Sequence, residues 1–363
     1  MTGKVLHYFA GDHTAKGFYP MYTTNYEGLE HIFLLKGSSK KVKSSLIKEI
    51  AATWMNNGYD VELIHCSSDN DALDGLIIPR LKIGLHDSAS SPLEINVPTE
   101  DVNVDDAWNE DNLNEQWDTI SRYNEKINKA FESAHESFKT GLLVHDDLEE
   151  IYMNNMDYDK ANQVADDLIN RLYGNETSTG KTAHVKYRFF GASTPQGVVD
   201  YIPNITDRLQ KRYFIKGRAG TGKSTLLKKV AAAAVDLGLD VEMYHCGFDP
   251  ESLDMVVVRE LGFCVFDSTD PHEYFPEQDG DEIIDIYKKT VKAGTDEKYA
   301  KEIQELTHSY KSYMKQGVSF LREAKRLKDE RTPIYIDGVD DSKVDRMYQK
   351  MNQQLEDKAG HLE

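Results

Sequence analysis

Cysteine is scarce in this chain, which has three such residues among 363: Cys66, Cys246 and Cys264. No two of them are spaced as C-x-x-C, the arrangement that begins many zinc sites and redox motifs. Thiols so few and so widely separated are typical of a reducing compartment. The scarcity therefore argues against a disulfide framework and against a cysteine-based zinc site.

Long apolar stretches are missing as well. No run reaches the roughly eighteen apolar residues that suggest a membrane-spanning helix. The first residues do not form the apolar segment of a secretory signal. We therefore expect a cytoplasmic protein with no membrane partner.

Positive charge is in short supply. Lysine and arginine number 43 against 62 aspartate and glutamate residues, which gives a formal net charge of −19. A surface with this balance repels the phosphates of nucleic acids, so we expect no direct nucleic-acid binding. We interpret the acidic stretch 101–115 as a solvated connector. Its acidic residues are Asp101, Asp105, Asp106, Glu110, Asp111 and Glu115.

The most informative feature that is present is a glycine-rich loop. Gly217, Gly222, Lys223 and Ser224 match the pattern G-x-x-x-x-G-K-[ST]. The loop follows the apolar run 213–215 and precedes a helical pattern of apolar residues, which is the context that a phosphate-binding loop requires. The glycines let backbone N–H groups turn toward an anion, and the helix adds its positive N-terminus. The sequence thus predicts binding of a nucleoside triphosphate, with ATP favoured.

Individual roles follow from this pattern. Lys223 is expected to reach the β and γ phosphates, and Ser224 is expected to supply a ligand to Mg2+. The residues expected to contact the nucleotide are Gly217, Arg218, Ala219, Gly220, Thr221, Gly222, Lys223, Ser224 and Thr225. Such a loop recognises phosphates, so it does not specify the base.

Asp267 is the best candidate for the carboxylate on the magnesium side of the site, and we assign it a catalytic role with Lys223. It ends the apolar run 263–266, as the acidic residue of a Walker B element does. The alternative is that Asp267 only caps the turn that follows it. Asp337 ranks second, because its counterpart earlier in the chain lies in a helical pattern. No glutamate follows Asp267 directly. The side chains considered as a base instead are His272, Glu273 and Asp249.

The loop belongs to an internal repeat. Residues 31–88 align without a gap on residues 211–268, at an offset of 180, with 20 identities in 58 positions. Further along, Ile151, Tyr152 and Asp157 match Ile334, Tyr335 and Asp340 at an offset of 183. The chain is therefore expected to contain two copies of one unit, joined by a linker.

The first copy of the loop is degenerate. Val42 stands where the second copy has Gly222, and Lys40 stands where it has Gly220. A β-branched residue does not readily take positive φ, and its side chain intrudes on the phosphate position. We expect this copy to have lost or greatly weakened nucleotide binding, although Lys43 and Ser44 leave weak anion binding open.

Two further basic features deserve separate interpretation. The basic residues of the first copy either form a solvated turn, which we favour, or face the γ-phosphate of the other half as a built-in stimulator. These residues are Lys36, Lys40, Lys41 and Lys43. Arg218 occupies the loop position at which partner-switched ATPases carry a lysine that acts across a dimer, but arginine there is far from diagnostic.

Short apolar runs alternate with helical patterns in both copies, which is typical of a mostly parallel sheet covered by helices. The predicted fold class is α/β, with two tandem P-loop NTPase-like domains, each carrying an inserted or appended long helical pair. The predicted boundaries are 1–172 for the degenerate domain, 173–182 for the linker and 183–363 for the intact domain.

This arrangement resembles tandem-duplicated P-loop ATPases, sometimes described as nucleotide-kinase-like, of Gram-positive bacteria. The resemblance spans nearly the full chain and rests on four segments: 216–225, the His-Cys strand ends at 65–66 and 245–246, 266–272, and 148–158. It implies ATP binding in a bacterial cytoplasm and leaves the physiological substrate or partner open.

Three functions are compatible with these features. The first is an ATP hydrolase with one working site in the second half. The second is a small-molecule or nucleotide kinase that uses the same loop; the missing acid after Asp267 suits it, and the absence of an arginine-rich lid between residues 259 and 280 does not. The third is a non-catalytic nucleotide-sensing scaffold.

Overall fold

A computed structural model of the chain describes residues 2–108, 116–336 and 338–361. It is an α/β structure with two six-stranded mixed sheets, each flanked by helices, in a two-domain arrangement. We call residues 1–172 the first half and residues 183–363 the second half. In the described part of the chain, no helix combines the length and the apolar character needed to cross a membrane.

The first half contains eight strands and four helices among its described residues. The strands are β1 (Val5–Phe9), β2 (Gly11–Thr14), β3 (Gly17–Pro20), β4 (His31–Lys36), β5 (Val61–His65), β6 (Leu73–Ile78), β7 (Ile83–Asp87) and β8 (Thr99–Asn103). The helices are α1 (Thr23–Tyr26), α2 (Lys40–Asn56), α3 (Trp117–Met153) and α4 (Tyr158–Tyr173).

The second half repeats this order. Its strands are β9 (Val185–Arg188), β10 (Gly191–Thr194), β11 (Gly197–Asp200), β12 (Lys211–Lys216), β13 (Val241–His245), β14 (Leu253–Val258), β15 (Phe263–Asp267) and β16 (Asp281–Asp285). Its helices are α5 (Ile202–Thr206), α6 (Lys223–Asp236), α7 (Ile286–Thr290), α8 (Thr295–Lys298), α9 (Ala300–Ile336) and α10 (Asp341–Gly360). The strands and helices that the sequence predicts around the glycine-rich loop are confirmed.

Both large sheets have the same topology. The strand orders are β1-β5-β6-β7-β4-β8 and β9-β13-β14-β15-β12-β16. In each, one strand (β6 or β14) runs antiparallel to both of its neighbours, while the remaining pairs are parallel. The start of β14 therefore lies beside the end of β15, at the edge of the sheet where the glycine-rich loop leaves β12.

The two long helices pack against each other rather than against their own sheets. Ala134 and Phe138 of α3 form a buried cluster with Leu321 of α9, and Phe138 lies so close to Gly317 that a Cβ placed there would be 2.2 Å from its ring. A second buried cluster, nearer to the start of α3 and the end of α9, joins Ile127 and Ala130 to Ala324 and Leu327. The predicted helical patterns are thus confirmed, and their apolar faces join the two halves.

The shorter helices are exchanged between the halves. Met351 and Leu355 of α10, from the end of the chain, lie in the core of the first sheet. Conversely, Ala165 and Leu168 of α4 lie in the core of the second sheet. The boundaries predicted from the repeat stay a prediction, but each described core takes one helix from the other half of the chain.

The matched aspartates of the repeat explain where the exchanged helices begin. The Asp157 carboxylate accepts the Lys160 N–H at the start of α4, and the Asp340 carboxylate accepts the Ser342 N–H at the start of α10. Both are N-caps, which satisfy otherwise unpaired N–H groups at a helix start.

The acidic stretch does not form the solvated connector that its composition suggested. Its first residues form the end of β8, which pairs in parallel with β4, and then a 3-10 turn at Val104–Ala107. Residues 109–115 lie outside the described residues. The expectation was wrong because Val102 and Val104 are buried in the first core, and their burial outweighs the tendency of the surrounding charges to stay in solvent.

The halves also meet directly through their edge strands. Phe9, the last residue of β1, and Phe189, the residue after β9, exchange backbone hydrogen bonds of 3.0 and 2.8 Å. One residue before Phe189, the Arg188 side chain is fully buried, and its guanidinium lies 2.5 Å from Glu62 and 3.4 Å from Glu242. These two glutamates are counterparts in the repeat, so one arginine serves an equivalent carboxylate from each half.

Candidate phosphate-binding site

The glycine-rich loop joins the end of β12 to the start of α6, as predicted. Gly222 caps the helix with φ of 81°, and Gly220 has φ of 69°. Side chains other than glycine rarely adopt this left-handed backbone conformation. A Cβ placed on Gly217 would also lie 2.7 Å from the Thr221 hydroxyl. The glycines therefore stand where the turn and the close approach of neighbouring atoms require them.

Interactions within the loop hold its shape. The Thr221 hydroxyl donates to the Arg218 carbonyl at 2.8 Å and accepts the Arg218 N–H at 3.2 Å. The Lys223 ammonium turns back over the loop, donating to the same carbonyl at 2.7 Å and lying 3.5 Å from Asp267. The structure therefore brings Lys223 and Asp267, two of the predicted site residues, to the mouth of one loop.

Ser224 has a structural partner. Its hydroxyl accepts the Leu253 N–H at 2.9 Å, and in the first half Ser44 accepts the Leu73 N–H at 3.0 Å. These hydrogen bonds tie the first turn of each helix to the start of the antiparallel strand. Ser224 therefore lies beside the start of β14. Its partner, Leu253, is followed directly by a residue with a second carboxylate.

That second carboxylate is Asp254, which sequence reasoning did not place in the site. Met255 pairs with Phe266 across the antiparallel strands, so Asp254 stands opposite Asp267. Burial, and then the nearby Asp267 carboxylate, raise the pKa of Asp254. The identity of Asp74 and Asp254 in the repeat was a signal, but their proximity to Asp267 depends on the antiparallel course of β14.

These oxygen donors fit a magnesium ion. Asp254 and Asp267 stand opposite each other on neighbouring strands, and the Ser224 hydroxyl is bonded to the N–H of Leu253, the residue before Asp254. Mg2+ is usually bound through one or two carboxylates together with substrate phosphates. Within the described ranges no group of three or more His, Cys, Asp or Glu side chains is arranged to hold a metal by itself. The donor set thus suits a metal that arrives with a phosphate ligand. The Thr269 hydroxyl also donates to Asp267 at 2.7 Å, so the turn-capping contact is present too.

The corresponding place in the first half is filled by protein. Lys40, the counterpart of Gly220, sends its ammonium between Asp74 and Asp87, and lies 2.8 Å from the latter. Lys43 lies 2.5 Å from the other oxygen of Asp87. Although burial lowers it, the adjacent carboxylates raise the pKa of Lys40 well above its usual value. An ammonium therefore occupies the position between the two carboxylates that a cation could take in the second half.

This geometry corrects both interpretations for Lys40 and Lys43, whereas Lys41 is exposed, as a solvated turn requires. Lys40 and Lys43 point into their own half, and the Lys43 side chain is 2% exposed, so these residues form neither a solvated turn nor a contact to the other loop. Lys36 pairs with Asp101 on the neighbouring strand. The physical cause is the Asp74–Asp87 pair, which two ammonium groups neutralise.

Arg218 also stays within its own half. Its guanidinium lies 3.1 Å from Asp296 and 4.9 Å from the centre of the Tyr287 ring. The Tyr152 hydroxyl of α3 donates to the same Asp296 at 3.0 Å. Arg218 is therefore linked to the end of α3 indirectly, through the shared Asp296 carboxylate.

The end of α3 covers the loop, a feature that sequence reasoning missed. The Glu149 carboxylate accepts the Gly220 N–H at 3.3 Å, and a Cβ placed on Gly220 would lie 2.6 Å from the Glu149 carbonyl oxygen. Ala219 packs against an apolar cluster that includes Leu148 and Ile151. The repeat could not reveal this contact, because α3 comes from the first half and covers the loop of the second.

The side chains considered as bases after Asp267 have other partners. His272 bonds to Asp200 at 2.8 Å, Glu273 lies 3.3 Å from Lys216, and Asp249 accepts the Ser252 hydroxyl at 3.0 Å. Each contact stabilises a local turn or strand end.

His245, Cys246 and Cys66 remain strand-end residues, as the sequence suggested. His245 bonds to the Pro250 carbonyl at 2.7 Å. Burial raises the pKa of the Cys66 thiol to about 12, and it also raises that of Cys246. Both thiols therefore stay protonated near neutral pH.

Comparison of the chain with family models, with curated proteins and with solved structures finds no match. The function must therefore be inferred from the geometry of the loop, its lysine and the two carboxylates. The class of protein that the fold defines is an α/β protein with two mixed six-stranded sheets.

Proposed function

We propose that the second half binds Mg·ATP at the glycine-rich loop and hydrolyses it, and that the first half does not bind nucleotide. The observation that carries the proposal is a glycine turn at the N-terminus of α6 with the Lys223 ammonium beside Asp267. Backbone N–H groups at a helix start, together with an ammonium, are suited to bind the phosphates of a nucleotide.

Each residue has a defined task in this proposal. The N–H groups of the loop from Gly217 to Thr225 bind the phosphates, and Lys223 leaves the Arg218 carbonyl to contact the β and γ phosphates. Asp254, Asp267 and Ser224 supply the oxygens that would hold Mg2+. When bound, the ion neutralises charge that develops on the phosphates. Phosphoryl transfer to an acceptor, the kinase alternative, remains a prediction from the sequence.

The experiment that tests the proposal is a binding stoichiometry. Calorimetric titration with Mg·ATP is expected to give one site per chain, because Lys40 and Lys43 occupy the equivalent of this site in the first half. Steady-state phosphate release measured on the same preparation reports hydrolysis. Two sites per chain would contradict the assignment of the first half, and absence of binding would contradict the proposal itself.

Asp254→Asn tests the second carboxylate. Removing one oxygen charge is expected to weaken Mg2+ binding, so nucleotide affinity in the presence of Mg2+ falls about tenfold while affinity in its absence is unchanged or higher. Manganese binding followed by electron paramagnetic resonance gives a readout that does not depend on turnover. The matched control is Asp285→Asn, because the native Asp285 caps α7. If Asp254→Asn binds the metal as tightly as the unaltered protein, Asp254 is not a ligand.

A further inference from the structure

A carboxylate that bonds to the backbone of the phosphate loop comes from the other half of the chain. Glu149 lies in the last turns of α3, and its side chain accepts the Gly220 N–H at 3.3 Å. In the proposed function this N–H is one of the groups that bind the phosphates. An acidic side chain therefore stands at the position where the phosphates of a nucleotide would lie.

The end of α3 is held at this place by buried contacts. Leu148, Ile151 and Tyr152 are buried in one cluster, against which Ala219 of the loop packs. The Met156 side chain beyond the helix would lie 3.1 Å from a Cβ placed on Gly222. These contacts fix the backbone of Glu149, while its three side-chain torsions leave the carboxylate free to move by about the width of a water molecule.

The local environment suits a proton acceptor. Burial raises the pKa of the Glu149 carboxyl above its usual value, although the Gly220 N–H and the Lys223 ammonium act in the opposite direction. His145, one turn earlier on α3, lies 3.7 Å from the same carboxylate. A base whose pKa is shifted toward neutrality accepts a proton more effectively at the pH at which the protein works.

The repeat contains an internal comparison. At the offset of 183 the counterpart of Glu149 is Thr332, near the end of α9. The Thr332 hydroxyl donates to the Lys328 carbonyl of its own helix at 2.7 Å. The acidic Glu149 thus lies against the loop that keeps its glycines, whereas the counterpart Thr332 in the other long helix is neutral.

We infer that Glu149 is the general base of the second site, supplied by the first half across the interface between the halves. This inference rests on the proposed function. ATP phosphates take over the Gly220 N–H, and the displaced carboxylate accepts a hydrogen bond from a water molecule next to the γ-phosphate. Glu149 would thus perform the role of the glutamate that is missing directly after Asp267.

In this reaction a water molecule hydrolyses the bond between the γ-phosphoryl group and ADP. The water oxygen forms a bond to the γ-phosphorus, and the bond from that phosphorus to the β–γ bridging oxygen breaks. The electron pair of the broken bond stays on ADP, and the proton of the attacking water passes to Glu149. Glu149 then releases this proton to solvent, which restores the carboxylate.

Glu149→Gln tests the inference, since the amide keeps the shape of the side chain and cannot accept the proton. The turnover number for phosphate release is expected to fall about 100-fold or more, while the dissociation constant for ATP rises by no more than about threefold. The unaltered protein should also lose turnover as the pH falls through the pKa of Glu149, and the residual activity of the variant should lack this acidic limb. Glu150→Gln, at the exposed neighbouring position, should behave as the unaltered protein.

The outcomes separate this inference from the proposed function. Turnover by Glu149→Gln within about threefold of the unaltered protein overturns the inference, as does a loss of turnover matched by an equal loss of ATP affinity. ATP binding without hydrolysis by the unaltered protein also overturns it while leaving the nucleotide site in place. An unaltered protein that does not bind ATP overturns both.

Discussion

Replacing the same residue of the two loops is expected to give opposite results. Lys223→Met should reduce phosphate release at least about 100-fold, because an ammonium aimed at charge on the transferring phosphate is lost. The free energy of unfolding should fall by only about 1–2 kcal/mol, since the contact of Lys223 with Asp267 is long, at 3.5 Å, and one hydrogen bond, to the Arg218 carbonyl, is lost. Turnover assays and urea unfolding of the same variant measure both quantities.

Lys43→Met should leave ATP hydrolysis intact and destabilise the fold. The Lys43 ammonium lies 2.5 Å from Asp87, and both side chains are almost fully buried. Removing one partner of a buried ion pair leaves an uncompensated charge and costs about 3 kcal/mol or more. Equal loss of turnover in the two variants would show that the first loop takes part in the reaction, contrary to the proposed single site.

Arg188→Met is expected to give the largest loss of stability. The Arg188 guanidinium is fully buried, with Glu62 at 2.5 Å, Glu242 at 3.4 Å and the Asn25 side chain at 2.7 Å. Methionine fills part of the space but leaves two carboxylates without this partner. The free energy of unfolding, measured with urea at pH 7, should fall by about 3–5 kcal/mol.

The pH dependence of this loss follows from the pKa values of the two glutamates. Although burial raises them, Arg188 in particular lowers the pKa of Glu242 to about 2 and also lowers that of Glu62. A carboxyl whose pKa is lowered by folding stabilises the protein above its ordinary value of 4.5, and this stability is lost as the pH falls toward 2. The difference between the unaltered protein and Arg188→Met should therefore shrink between about pH 5 and about pH 2.

Arg259→Met is the control for this experiment. Arg259 also contacts Glu242, at 2.6 Å, but its side chain is 38% exposed and it does not join the two halves. Arg259 donates two hydrogen bonds to Glu242, but the partly exposed guanidinium is screened by water, so its loss should cost less than the loss of Arg188. Equal destabilisation by the two variants would assign the effect to Glu242 alone and not to the shared arginine.

The parts of the site that the sequence predicted are those encoded by local pattern. The loop, its flanking strand and helix, and the carboxylate that ends β15 follow from residues that are close together in the chain. Asp254 was missed because its proximity to Asp267 requires an antiparallel strand, and alternating apolar runs do not specify strand direction. Lys40 was misread because a lysine in a turn is usually solvated, whereas here two buried carboxylates attract it.

The exchange of helices could not be predicted from the repeat. Because the two halves are copies, the repeat gives no reason to expect that α4 packs on the second sheet and α10 on the first. A helix of 37 residues, such as α3, extends about 55 Å and so carries the chain from one half to the other. Only the course of these long helices selects the sheet on which the next helix packs.

Glycine spacing and apolar periodicity act over a few residues, so they already identify a duplicated α/β chain with one complete glycine-rich loop and one degenerate loop. The tertiary structure alone decided which groups surround those loops. Lys40 fills the first site from within its own half, and Glu149 reaches the second from the other half. These contacts join residues that are far apart in the chain, and their distances depend on how the sheets and long helices pack.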